Sequence, residues 1–272
     1  MKHHVKPVFI GLILILIFAL SACGSSTSGS LSTKELTIGV TGGPHEQIME
    51  QVAKLAKKDR LTIHLKVFND YNQPNTALDG GDLDASSYET LPFLKAQIKD
   101  RGYKITDVFK TVALPMGIYS NKIKHLKDLK KGDKIAIPND PSSQPRSLTL
   151  LEKAGVIKMK PGTQTTGSTR DVASNPKKIQ FVAMDPAQIT SHLDEVTAAA
   201  INSNFAMGAG LTILDDSIDH ESLTHNRYPN YFVVRNENKN DEVVKQIKKY
   251  YHSDEIKAYI KKTFKGSVVP SW

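Results

Sequence analysis

Two polar segments of the sequence carry residues that could bind a small charged molecule. The first, residues 138–148, follows a short apolar run and contains Arg146 where a helix is predicted to begin. An arginine can donate two parallel hydrogen bonds to a carboxylate, and a helix N-terminus offers free N–H groups and a positive dipole end. An arginine that is simply exposed on the helix is the alternative. The segment therefore predicts a carboxylate site at Arg146.

The second segment is a run of small apolar residues, 198–201, that ends at Asn202. A strand of this kind would deliver Asn202 to a loop, where its amide oxygen can accept a hydrogen bond from an ammonium group. The alternative is that Asn202 only caps the helix that follows. The pattern predicts a ligand contact at Asn202, and it does not decide between this role and helix capping.

Aromatic residues cluster near the ends of other predicted elements. Tyr71 follows Phe68, and Tyr88 precedes Phe93 by five positions. Small-molecule sites are mostly apolar with a few placed polar groups, so these rings could line a pocket. They could equally belong to the hydrophobic core.

Signals for catalysis or metal binding are poor. No nucleophile elbow, phosphate loop or HExxH motif occurs, and Ser174 and Lys177 fit Ser-x-x-Lys without its companion motifs. The nine histidines are scattered, and we expect His45 and His125 to be loop or surface residues. The sequence predicts a protein that is not an enzyme and that holds no metal or cofactor.

The elements that would position these residues alternate between strand and helix. Strands are predicted at 36–40, 61–67, 108–114, 116–119, 135–137, 179–184, 197–201 and 231–234. Helices are predicted at 45–58, 92–101, 147–154, 188–195, 241–251 and 254–264. This alternation is typical of an α/β fold with mostly parallel sheets. Pro115 interrupts the strand-like run 108–119, and it suits a crossing point between two lobes because proline cannot donate within a sheet.

The N-terminus has the features of a lipoprotein signal peptide. Lys2 and Lys6 precede an apolar run, 8–20, and Leu-Ser-Ala stands directly before Cys23, the only cysteine. The run is shorter than the roughly 20 residues that a membrane-spanning helix needs. We therefore expect cleavage after residue 22, lipid on Cys23, and a Gly/Ser-rich linker through residue 33, with folded sequence beginning near Leu36.

The formal net charge of +8 falls by two when Lys2 and Lys6 are removed. A basic chain can bind nucleic acid or an anionic membrane, but the lysines here are spread along the sequence without interleaved aromatics. We expect a solvated lysine-rich surface and no nucleic-acid partner.

Several stretches carry a family resemblance along almost the whole mature chain. They are Phe-Asn-Asp-Tyr at 68–71, Gly-Asp-Leu-Asp-Ala at 81–85, Lys-Asp-Arg-Gly-Tyr-Lys at 99–104, Pro-Asn-Asp-Pro at 138–141, Asn-Pro-Lys at 175–177, Ala-Ile-Asn at 200–202 and the final Trp272. Together they resemble the MetQ/NlpA family of methionine-importer solute-binding lipoproteins. The resemblance implies a two-lobed, periplasmic-binding-protein-like (type II) fold. Each lobe would be a mostly parallel sheet flanked by helices, with 34–114 and 227–272 forming one lobe and 115–226 the other, joined by two crossovers.

The resemblance also implies roles for particular residues. Arg146 would bind the ligand carboxylate, and Asn202 and Asn230 would bind its polar end. The residues that would surround the thioether are Tyr71, Tyr88 and Phe93. Thr90 stands where the family has a pocket histidine, so the ligand could be L- or D-methionine, a methionine-containing dipeptide or another apolar amino acid.

The implied partners are an ABC permease, its cytoplasmic ATPase and, through the lipid on Cys23, the outer face of the cell membrane. We expect a monomer. A secreted enzyme on the same fold, or an adhesive or signalling lipoprotein, are the alternatives.

Overall fold

The computed structural model describes residues 29–225 and 228–272, and the expected signal peptide and Cys23 lie outside these ranges. Residues Leu31–Trp272 form a single compact unit, which is built on two mixed sheets with helices on their faces. Among the described residues, no helix has the length and apolar character needed to cross a membrane.

The strands and helices follow in an order that alternates along most of the chain. The strands are β1 Glu35–Thr41, β2 Thr62–Phe68, β3 Ala85–Thr90, β4 Ile105–Ala113, β5 Gly117–Tyr119, β6 Lys134–Pro138, β7 Lys158–Met159, β8 Val172–Ser174, β9 Gln180–Met184, β10 Ala198–Ile201, β11 Ser217–His220, β12 Pro229–Arg235 and β13 Val269–Pro270. The α-helices are α1 Pro44–Lys58, α2 Gln73–Asp79, α3 Leu91–Arg101, α4 Ser143–Lys153, α5 Pro186–Ile189, α6 Ser203–Gly208, α7 Glu242–Tyr251 and α8 Asp254–Phe264. Single-turn 3-10 helices occur at Leu126–Asp128, Thr169–Asp171 and Asn236–Asn238, and a longer one at Thr190–Glu195.

The first sheet has six strands in the order β13-β4-β12-β3-β1-β2. The pairs β1–β2 and β1–β3 are parallel, whereas β12 is antiparallel to both β3 and β4. The arrangement arises because the chain leaves this sheet after β4 and re-enters it through β12, which runs back between β3 and β4. The α/β prediction is confirmed, but the sheet is mixed rather than mostly parallel.

The second sheet has five strands in the order β11-β5-β10-β6-β9. Its parallel part is β10-β6-β9, and the strands next to the crossovers, β5 and β11, pair antiparallel. The chain enters this sheet through residues 114–116, which include Pro115, and leaves it after His220. The fold is therefore two-lobed, as predicted, and the finer lobe boundaries at 34, 114/115, 226/227 and 272 remain a prediction.

Each sheet buries apolar residues on both faces. On the first sheet, Ile38 packs with Ile48 of α1 and Ile247 of α7, while α2 and α3 cover the opposite face. On the second sheet, α4 packs on one face and α5 and α6 on the other. The cores hold the strand ends in place, and those ends carry the polar residues of the site.

The predicted linker is wrong at its C-terminal end. Leu31 is only 7% exposed and belongs to the first core cluster, and its backbone N–H donates to Asp241 Oδ2 over 2.7 Å. Leu31 therefore belongs to the core rather than to a linker, and the packed chain begins before the predicted residue.

Candidate functional site

A cleft lies where the carboxyl ends of strands from both sheets meet. Its lining includes His45 after β1, Thr90 at the end of β3, Arg146 in the helix after β6 and Asn202 after β10. The remaining lining residues are Tyr71, Tyr88, Glu89, Phe93, Leu114, Ser142, Ser143, Ser203, Asn204 and Asn230. Open α/β sheets bind ligands at this edge, and all seven predicted ligand residues lie together here.

Arg146 is buried in the first turns of α4 and is 4% exposed, so the interpretation of an exposed arginine is wrong. Its Nε donates to Glu221 Oε1 over 3.1 Å, and its Nη2 donates to Glu221 Oε2 over 2.6 Å and to the Leu114 carbonyl over 3.1 Å. The guanidinium carbon lies 4.3 Å from the centre of the Tyr228 ring. Burial disfavours the charged form, but the Glu221 carboxylate raises the pKa of Arg146, which therefore stays protonated.

The N-terminus of α4 does not offer its first N–H groups to a ligand. The backbone nitrogens of Ser142 and Ser143 donate to Asp140 Oδ1 over 3.0 and 2.8 Å. Asp140 thus takes the place predicted for a ligand anion at this helix end, and the arginine side chain is the donor that remains.

Asn202 precedes α6, but its side chain makes no cap hydrogen bond. Its Nδ2 donates to Ser143 Oγ over 3.0 Å, while its buried Oδ1 has no hydrogen-bond partner. An unpaired buried carbonyl oxygen costs free energy unless a donor meets it. The atom is therefore well suited to accept a hydrogen bond from a ligand.

Asn230 and His45 form a buried pair on the first-sheet side of the cleft. Asn230 Nδ2 lies 3.2 Å from His45 Nε2, and His45 Nδ1 lies 2.8 Å from Thr41 Oγ1. Burial lowers the pKa of His45 to about 4, so the ring is neutral near pH 7 and Nε2 accepts when Nδ1 donates to Thr41. The prediction that His45 is a loop or surface residue is wrong, because the turn after β1 directs the start of α1 into the cleft.

Three aromatic rings form the apolar part of the cleft. The Tyr71 ring centre lies 6.0 Å from that of Tyr88 and 5.9 Å from that of Phe93, and the Phe205 ring lies 5.0 Å from Tyr71 on the other side. Phe68, by contrast, packs into the core beneath α2 and α3. The two alternatives for the aromatics thus divide between residues: Phe68 is core, and the other three line the cleft.

Two hydrogen bonds join the two halves of the cleft. Tyr71 Oη donates to Asn204 Oδ1 over 2.5 Å, and the hydroxyls of Thr90 and Ser142 lie 3.0 Å apart. Thr90 and Tyr71 belong to the side of the first sheet, and Asn204 and Ser142 to the side of the second. The structure therefore represents a closed arrangement.

Glu89 is a buried acid in the lining of the cleft. It is 3% exposed, its Oε2 accepts from Asn75 Nδ2 over 2.9 Å, and its Oε1 has no partner. Burial raises the pKa of Glu89 to about 8. The group is therefore mostly protonated and neutral near pH 7.

Sequence reasoning missed three groups at this site: Glu221, Glu89 and His45. Glu89 stands between Tyr88 and Thr90, and because all three are buried the segment shows no alternation of buried and exposed residues. Glu221 is brought to Arg146 only by the tertiary fold. Among the described residues, no group of histidine, aspartate or glutamate side chains is arranged to hold a metal ion. The donors present suit a small organic ligand with a carboxylate.

Comparisons with known proteins all match the chain to one family of lipoproteins. A model of the family described as NlpA lipoprotein matches residues 36–272. The chain is 40% identical over 262 residues to the D-methionine-binding lipoprotein MetQ of Salmonella typhi, and the match covers 95% of each chain.

Solved structures give the same result. A nutrient binding protein from Burkholderia cenocepacia bound to methionine has 45% sequence identity and a TM-score of 0.84, with 87% of this chain and 100% of the other covered. An ABC transporter periplasmic substrate-binding protein from Coxiella burnetii has 42% identity and a TM-score of 0.83 over the same shares of the two chains.

Proposed function

The chain belongs to the NlpA lipoprotein family, and from this membership we propose that it is the solute-binding protein of an ABC importer that captures methionine outside the cytoplasm. The proposal is supported by a methionine-bound structure at 45% identity and by a D-methionine-binding relative at 40% identity. In this role the protein binds the ligand and passes it on without chemical change.

The observation that carries the proposal is that a buried arginine and an unpaired buried amide oxygen line the same cleft. Arg146 supplies a fixed cation, and Asn202 Oδ1 lacks a donor. A free amino acid presents a carboxylate and an ammonium group on neighbouring atoms. Arg146 would bind the carboxylate, and Asn202 with Asn230 would accept from the ammonium.

The aromatic rings suit the remainder of methionine. Tyr71, Tyr88 and Phe93 surround an apolar volume with tilted and edge-on ring contacts. A thioether sulfur near such rings gains about 0.3–1.5 kcal/mol per contact. Thr90, which bonds Ser142 across the cleft, would border this volume without filling it.

The location that we propose for the protein depends on its N-terminal segment. Lipid on Cys23 would hold the chain at the outer face of the membrane, close to the permease. The two lobes, 34–114 with 227–272 and 115–226, would close on the ligand because the closed state binds it better. Docking to the permease would then favour opening and release.

The test begins with native mass spectrometry of the full-length protein, purified in detergent, to identify any ligand carried through purification. After removal of that ligand, calorimetry compares L-methionine, D-methionine and norleucine, in which a methylene replaces sulfur. We expect methionine at 100 times its Kd to stabilise the protein by about 2.7 kcal/mol, and norleucine to bind about two- to twelvefold more weakly. Absence of binding by both methionine enantiomers would refute the assignment.

A methionine-containing dipeptide is the second candidate. A further open space adjoins the cleft and shares Ser142 and Arg146 with it, and this space could hold an additional residue. Glycyl-methionine therefore belongs in the same titration series, and tighter binding of the dipeptide than of methionine would favour it.

A further inference from the structure

Arg146 already carries a counter-charge within the protein. Its Nε and Nη2 donate to the two oxygens of Glu221, whose side chain is 11% exposed against 4% for Arg146. The second Nη2 hydrogen goes to the Leu114 carbonyl. These three hydrogen bonds use Nε and Nη2, so Nη1 is the guanidinium nitrogen that we assign to a ligand.

Glu221 does not depend on Arg146 for its position. Its backbone N–H donates to the Met116 carbonyl over 2.9 Å, and its Oε2 accepts from the Met116 N–H over 2.9 Å. Both contacts fasten Glu221 to the start of β5. The carboxylate is therefore a resident counter-ion rather than a mobile competitor that the ligand displaces.

The other titratable groups that line the cleft are neutral near pH 7. Burial lowers the pKa of His45 to about 4 and raises that of Glu89 to about 8. Asp140, next to the cleft, faces the N-terminal amides of α4. The opposite charges of Arg146 and Glu221 therefore cancel within their pair, and the Asp140 carboxylate is offset by the α4 amides.

We propose that Glu221 is a specificity-determining residue, which neutralises Arg146 so that the cleft selects a zwitterion over a ligand with a carboxylate alone. The inference rests on the proposed function, and it adds a reason why an amino acid is preferred to a simple acid. A zwitterion adds no net charge to the closed cleft, whereas an anion leaves one buried charge without a partner.

The experiment uses two probes that are smaller than methionine and so cannot clash. 4-(Methylthio)butanoate is methionine without its amino group, and 3-(methylthio)propylamine is methionine without its carboxylate. In the wild-type protein, we expect both to bind at least about tenfold more weakly than methionine. In Glu221→Gln, which keeps an acceptor for Met116, the preference for methionine over the anionic probe should fall about tenfold or more.

Two variants serve as controls. Glu221→Asp keeps the charge and should keep the preference. Glu237→Gln removes a carboxylate from the partly exposed Arg235 pair and should leave all three affinities unchanged. Circular dichroism and thermal unfolding establish that each variant is folded.

The outcomes separate the inference from the function on which it rests. If Glu221→Gln weakens all three ligands in parallel, Glu221 is only structural and the inference is wrong. If the variant does not fold, the wild-type comparison decides: equal affinity for methionine and the anionic probe overturns the inference. If methionine does not bind the wild-type protein at all, the proposed function fails and the inference with it.

Discussion

Replacing Arg146 by alanine should damage both the fold and ligand binding, and the two losses can be separated. The variant leaves the Glu221 carboxylate buried without its cation, and it removes three hydrogen bonds from the guanidinium. Breaking a buried pair on one side costs about 3–5 kcal/mol. For a chain of this size, about 2–4 °C are lost per kcal/mol, so Tm should fall by roughly 6–20 °C.

The same change should weaken methionine binding by about 2–5 kcal/mol, because the ligand carboxylate loses its charged partner. Calorimetry at a temperature where the variant is still folded measures this loss. Arg235→Ala is the matched control, since Arg235 donates to the carbonyls of Leu78 and Leu83 away from the cleft. It should lower Tm and leave the affinity for methionine unchanged.

The double variant Arg146→Ala/Glu221→Ala tests the physical cause. Removing the orphaned carboxylate should restore at least half of the lost stability, whereas binding should stay lost because no cation returns. The reasoning is refuted if the double variant is no more stable than the single one, or if Arg146→Ala binds methionine as tightly as the wild-type protein.

Three further changes test separate parts of the molecule. Asn202→Ala should weaken methionine binding by about 1–3 kcal/mol with little change in Tm, because the side chain does not cap α6; a lower Tm with normal affinity in calorimetry would contradict this. Glu89→Gln should gain stability relative to the wild-type protein as pH rises from 5 to 8. In the folded wild-type protein the pKa of Glu89 is about 8, against an ordinary value of 4.5, so the unfolded chain loses the proton first as pH rises. The free energy of unfolding of the wild-type protein therefore falls by at most about 1.4 kcal/mol per pH unit. Urea unfolding in which the variant and the wild-type protein differ by the same free energy at pH 5 and pH 8 would argue against this. Cys23→Ser should release the protein from the membrane or leave its precursor uncleaved, and fractionation that finds it processed and anchored would exclude lipid attachment at residue 23.

The parts of the site that could be predicted are those in which chemistry and local pattern coincide. Arg146 and Asn202 each follow an apolar strand, and a polar residue at such a position is visible in the sequence. Glu221 could not be found in this way, because it lies 75 residues from Arg146 along the chain and only the return of the chain beside β5 brings it near. An acid in a segment for which no helix or strand is predicted carries no sign of its partner.

The fold shows the same division. Helices α7 and α8 were predicted almost to the residue because their apolar positions repeat with the helical period. Strand β3 was missed, since Ala-Ser-Ser-Tyr-Glu-Thr at 85–90 alternates neither in polarity nor in size, yet all six residues are buried. It lies in the middle of the first sheet between β12 and β1, where tertiary packing overrides local preference.

The hydrogen bonds of Tyr71 to Asn204 and of Thr90 to Ser142 affect how long a bound ligand stays as well as how tightly it is held. A ligand enclosed behind them leaves only after both have broken. At about 0.5–1.5 kcal/mol each, they would slow escape by between about fivefold and about 150-fold. Capture from dilute solution would be little affected, since encounter occurs with the lobes apart.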